Sequence, residues 1–204
     1  MGTRRLLTGL SLILLISLSS MQKAEAAAAP DPASYITNVG NQVLELFKDT
    51  RRADRERERQ FRQIADDAFD IPKIARFILG RYWATASEVE RQQFVNAFEE
   101  YMVRVYWSYF SQYHAESITV LAQRDLGASG VRITTQIIRP AGQGPVKVDW
   151  TITAQGGTYK IIDVSIEGVS QALTYREEFS SIMSRNRAGG LSALTDELRR
   201  KVGG

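Results

Sequence analysis

The sequence predicts an α+β fold, in which helices cover one face of a curved antiparallel sheet of about four strands. Three observations predict it. Apolar residues recur at helical spacing from Ile36 to Tyr113, the period shortens to two between Ser117 and Ile166, and the helical period returns after Gly168.

Each element follows from local chemistry. Arg4 and Arg5 precede an apolar run from Leu6 to Leu18, and small residues Ala24-Glu25-Ala26 follow, which is the pattern of a cleavable secretory leader over residues 1–26. The run is shorter than the ~20 residues needed to span a bilayer core. The adjacent arginines leave the general secretory route and the twin-arginine route both open. Asp31-Pro32 predicts a helix start, with Ile36, Val39, Val43, Leu44 and Phe47 on one face to about Thr50. From Arg51 to Asp67 acidic and basic residues alternate around Phe61, Ile64 and Ala65; this reads as a solvated helix face supported by Glu58 and Arg62. Asp70-Ile71-Pro72 opens a short apolar helix through Ile74, Phe77 and Ile78, which Gly80 ends. Ser87-x-x-Glu90 is a capping box ahead of one long helix carrying Phe94, Phe98, Tyr101, Met102, Val105, Tyr106, Tyr109 and Tyr113, ending near His114.

Strands are expected from Ser117 to Ala122, through Ile133 and Ile137, through Val148, Trp150 and Ile152, and through Ile162, Val164 and Ile166. Gly156-Gly157 is a tight hairpin signal and Pro140 to Pro145 a longer one, so the sheet should be a meander with one apolar face. A helix through Leu173, Phe179, Ile182 and Met183 follows, and Gly189-Gly190 separates a last one bearing Leu191, Leu194 and Leu198. Residues 27–204 read as a single domain.

Composition excludes several chemistries. The leader holds Arg4, Arg5 and Lys23 against Glu25, so about +2 of the formal +3 leaves with it, and the nearly neutral remainder predicts no nucleic-acid partner. There is no cysteine and one histidine, His114, which makes zinc and Ser-His-Asp chemistry improbable. No Walker, EF-hand or dinucleotide loop is present. No catalytic residue, metal ligand or cofactor is therefore assigned. Asp163 alternates with Ile162, Val164 and Ile166, which predicts a solvated or salt-bridged carboxylate. An Asp beside a Tyr in an apolar cavity is what an isomerase or dehydratase on such a fold would need. By type alone the facing apolar rows read first as plain core, with a ligand cavity as the alternative.

Four stretches together resemble one family. These are Phe69-Asp70-Ile71-Pro72-Lys73-Ile74 continuing to Arg81-Tyr82-Trp83, the helix from Phe94 to Tyr113, Val148-Asp149-Trp150, and Lys160 to Ser170 continuing to Tyr175-Arg176 and Phe179. In order and spacing they are similar to the MlaC-like periplasmic phospholipid-binding proteins of the Mla, or toluene-tolerance, lipid transport family, which has a hopanoid-associated branch. The resemblance implies a lipid pocket between sheet and helices, with bound lipid as cargo rather than cofactor. Its walls are expected at Ile74, Ile78, Tyr82, Phe94, Phe98, Tyr101, Met102 and Val105 from helices, and at Ile133, Val148, Trp150, Ile162, Val164 and Ile166 from strands. It further implies a periplasmic monomer exchanging phospholipid, or a hopanoid or other lipid, with an inner-membrane lipid transporter complex and an outer-membrane lipoprotein/porin complex. Tyr175-Arg176 matches the family motif without an assigned role.

Overall fold

The computed structural model describes residues 30–112, 115–140, 142–185 and 190–203. The leader expected over residues 1–26 lies outside them, as do Tyr113, His114 and Gly189. Helix α1 (Pro32–Lys48) starts where Asp31 accepts a hydrogen bond from the Ser34 amide at 2.9 Å. Helix α2 (Asp54–Ala68) follows, and α3 (Ile71–Leu79) is capped by Asp70, whose carboxylate accepts from the Lys73 amide at 3.1 Å. A further turn of helix, α4 (Arg81–Thr85), was not expected, because five residues are too few to display a period. The capping box ahead of α5 (Glu88–Gln112) is closed in both directions: the Ser87 amide donates to Glu90 at 2.8 Å, and the Glu90 amide to the Ser87 hydroxyl at 3.3 Å.

The sheet runs β1 (Ser117–Asp125), β2 (Val131–Ile138), β3 (Val146–Gln155), β4 (Thr158–Ile166) and β5 (Val169–Ser170), in that spatial order and with every neighbour antiparallel. The meander is as expected, with one strand more. Glu167 and Gly168, at φ 48° and 83°, turn the chain back on itself, so Val169-Ser170 pairs with β4 before helix α6 (Gln171–Arg185) begins. Between β3 and β4, Gly156 and Gly157 supply the two positive φ values that a two-residue hairpin needs. Helix α7 (Gly190–Gly203) ends the described chain.

Packing divides α5 between two neighbourhoods. Its first half buries Phe94, Val95, Ala97 and Phe98 against α3, α6 and α7, where Ile78, Phe179, Met183, Leu194 and Leu198 are almost wholly buried. Its second half buries Val103 against Leu46 of α1 and Phe61 of α2, with Phe47, Trp107 and Phe110 stacked around them at centroid distances of 4.9 to 6.1 Å. A third cluster joins α1 to the sheet through Ile36, Ala68, Ile133, Ile152 and Ile161. Helix α1 approaches β1 closely at Gly40, where a Cβ would lie 2.8 Å from Ile118 Cδ1. Arg62 pairs with Glu100 of α5 at 2.7 and 2.8 Å rather than with Glu58 as its spacing suggested, so the charged face of α2 is partly an interhelical seam.

Candidate functional site: an apolar hollow under the sheet

Three helices and the sheet fail to close on one another. Between α1, α2, the second half of α5 and the inner face of the sheet lies a cavity of about 400 Å³, within the usual size of ligand pockets. Helix α1 supplies Val39, Val43 and Phe47, a single stripe at four-residue steps, and α2 supplies Phe61, Ile64 and Ala65. The sheet supplies cross-strand pairs on its inner face, Trp150 with Val164, Val148 with Ile166, and Ile137 with Val146. The Trp150 indole donates to the Thr135 hydroxyl at 2.9 Å, and that hydroxyl donates to the Val148 carbonyl at 3.1 Å. The largest ring on the sheet wall thus presents carbon to the hollow and no unsatisfied polarity. At one end the lining reaches Lys48, Thr50 and Tyr109, which are exposed, and this end is the mouth.

Of the residues expected as walls, the structure brings Ile74, Phe98, Met102, Val148, Trp150, Val164 and Ile166 to the hollow. The others stand elsewhere. Phe94 and Ile78 are sealed in the packed region between α3, α5, α6 and α7, Tyr82 and Tyr101 lie at its margin, and Ile133 belongs to the solid end of the sheet. Val105 is half-buried on α5 away from the cavity. Ile162 is displaced by a bulge: Ile152 pairs with Ile161 while Thr151 pairs with Asp163, so Ile161 takes the inward place that alternation gave to Ile162. Sequence reasoning did not assign the α1 stripe, Phe61, Ile64, Tyr106 or Tyr175 to the walls, although the periodicity of α1 carried the signal.

The same bulge overturns the expectation for Asp163. Rather than facing solvent, it lines the hollow, with Oδ2 accepting from the Ser170 hydroxyl at 2.7 Å and Oδ1 from the Ala172 amide at 3.1 Å. It caps α6 from the neighbouring strand. Tyr106 and Tyr175 share the cavity with it, which is the juxtaposition an acid–base enzyme would require. Both carboxylate oxygens already hold donors, and burial drives the tyrosine hydroxyls away from ionisation, to about 12 for Tyr106 and higher for Tyr175. Both hydroxyls are therefore neutral hydrogen-bonding groups at physiological pH.

One further polar station interrupts the wall. Asp66 of α2 and Glu99 of α5 both reach the lining; Asp66 Oδ1 is buried with no donor, and Glu99 is held above the ordinary carboxyl range by burial first and by Asp66 second. Among the described residues no group of three or more acidic, His or Cys side chains is arranged to hold a metal, and no helix is long and apolar enough to cross a membrane.

Comparison with known proteins bears on this hollow. The model of the family described as MlaC protein matches residues 37–200. In fold the chain is similar to the phospholipid-binding protein from Ralstonia solanacearum, whose structure contains a bound phospholipid. The TM-score is 0.72 at 18% identity, over 85% of this chain and 97% of that one.

Proposed function

This chain belongs to the MlaC protein family, and from that premise we propose that it is an exported, periplasmic lipid carrier that holds the acyl chains of a phospholipid in the hollow beneath its sheet. The observation that carries the reading is a predominantly apolar cavity of about 400 Å³ reaching the surface at one end, in a chain with a solid core elsewhere to stabilise it. The phospholipid bound in the Ralstonia solanacearum protein of similar fold supports the choice of cargo. A hopanoid or other lipid is the alternative within the same fold.

Physical chemistry explains why such a protein is needed. At ~0.8 kcal/mol per buried CH₂, two acyl chains of roughly 30 carbons oppose transfer into water by on the order of 20 kcal/mol. An apolar hollow makes transfer between membrane and carrier nearly neutral, and small differences in affinity at each docking partner then set direction. The carrier needs no covalent chemistry and no nucleotide of its own. Its docking partners are an inner-membrane lipid transporter complex and an outer-membrane lipoprotein/porin complex, which it serves as a monomer. The arginine-led apolar leader supports export.

The test is native mass spectrometry of the purified protein, followed by delipidation and incubation with phospholipid vesicles. A co-purifying lipid of one-to-one stoichiometry, regained after delipidation, is expected. Protein that carries no lipid and takes none up refutes the carrier.

A further inference from the structure

Tyr106 and Tyr175 stand out within the hollow because they place two neutral hydroxyls in a wall that is mainly hydrocarbon, apart from the carboxylates of Asp66, Glu99 and Asp163. They come from different helices, α5 and α6, and Tyr175 is held in place by edge-on contacts with Phe98 and Tyr101 at 5.9 and 6.2 Å and by Phe179 at 5.5 Å. The two hydroxyls interact with one another across the wall. A hydrogen bond between two hydroxyls uses one of their two protons, so whichever of them donates, the pair has one proton left to give. Asp163, whose oxygens accept from Ser170 and Ala172, makes no hydrogen bond to either tyrosine among the described residues. A donor in an apolar wall with no acceptor is expensive unless a ligand supplies one.

Position narrows the class of ligand. Tyr109, 41% exposed, marks the mouth on α5, and Tyr106 lies three residues further in, about 4.5 Å along the axis at 1.5 Å per residue. A lipid that leaves its charged, strongly hydrated headgroup at the mouth brings its acyl ester linkages to that depth. Ester carbonyls are acceptors without donors, the complement of the hydroxyl left over. A hydrocarbon chain or an ether linkage offers nothing comparable there.

We propose that the Tyr106–Tyr175 pair is a specificity site for the acyl ester carbonyl of the cargo, selecting ester-linked over ether-linked lipids of the same length and headgroup. The proposal rests on the carrier reading and deepens it. The hydroxyl pair reads the linkage, while the α1, α2 and sheet walls hold the chains.

The experiment compares binding of a diacyl phosphatidylethanolamine with that of its dialkyl ether analogue, presented to delipidated protein, for wild type, Tyr106→Phe and Tyr175→Phe. Wild type is expected to prefer the diacyl lipid by about twofold to tenfold, the span of one net hydrogen bond. In each Phe variant the ratio is expected to fall towards one. Thermal melting of both variants verifies that they are folded, and either alone suffices for the comparison. A wild-type ratio of one, or a preference that survives both substitutions, overturns the proposal and leaves the carrier intact. Failure of wild type to bind either lipid removes the carrier and this site together.

Discussion

Helix α5 borders two apolar neighbourhoods of nearly the same composition, one solid and one hollow. Around its first half Phe94, Phe98 and Phe179 meet edge to face at 6.1 to 6.2 Å, with Leu194 and Leu198 filling what remains. Around its second half Val103, Tyr106 and Phe110 meet α1 and α2 along part of their length, and the sheet stands off from all three. The number of apolar side chains does not separate the two. The solid region is ringed by three helices at close range, whereas the hollow is spanned by a curved sheet whose inner residues, Val148, Val164 and Ile166, are too short to reach across. Stability is concentrated in one neighbourhood so that the other can remain unfilled.

This contrast is broken most directly by truncation. Phe179→Ala removes a wholly buried ring that touches Phe94, Phe98 and Tyr175, and is expected to destabilise by about 3–5 kcal/mol in chemical denaturation. A loss under about 1 kcal/mol would show that the first neighbourhood is not the load-carrying core. Enlargement provides the converse test. Ala75→Leu, at a wholly buried position of α3, forces atoms into occupied space and is expected to cost about 1–3 kcal/mol. Val164→Phe, aimed into the hollow, is expected to change stability by less than about 1 kcal/mol while reducing lipid bound per protein. Equal destabilisation by the two enlargements would mean that the hollow is as tightly packed as the core.

The fold was legible because its signals are local. Asp31, Asp70 and the Ser87–Glu90 box cap helices where their chemistry says they should, and the glycine pair at 156 and 157 makes the hairpin it announces. The site was only partly legible, because lining a hollow and filling a core call for the same residue types. Phe94 and Phe98 are one turn apart on α5, stack at 5.8 Å and are both buried, yet Phe98 alone touches the cavity. Which of them does so is decided by α3 and α6, which pack against them from other parts of the chain and are invisible to a period. The misplacements of Ile162 and Asp163 have another origin. A bulge inserts one residue into β4 opposite Thr151 and Ile152, and strict alternation carries no mark of it. The fifth strand escaped notice for a related reason, since Glu167 takes a positive φ that favours glycine or asparagine.

The subtlest difference between the neighbourhoods is electrostatic. Among the described residues no charged side chain is buried in the solid core, whereas the seam of the hollow between α2 and α5 carries Asp66 against Glu99, with Arg62 and Glu100 beside them. Glu99 holds its proton more tightly in the folded chain than an ordinary carboxyl does, chiefly because of burial and then because of Asp66, with Arg62 opposing. A group whose folded pKa is raised contributes its stability below the unfolded pKa and loses it as pH rises through the folded one. The charged form of Glu99 therefore works against the fold as pH rises. Glu99→Gln replaces the carboxylate with a neutral group of the same shape, so the variant should melt higher than wild type near neutrality, with the difference narrowing in acid, where the wild-type carboxyl takes up its proton. Melting curves at neutral and acidic pH decide it, and a difference that is constant or widens in acid would mean that the seam is held by something other than this pair. The effect should be the smallest of those considered, because Glu99 is only partly buried and water screens part of the repulsion. A hollow tolerates such a pair where a close-packed core does not, since space at the seam lets the carboxylates move apart and leaves Asp66 Oδ1 without a donor at modest cost.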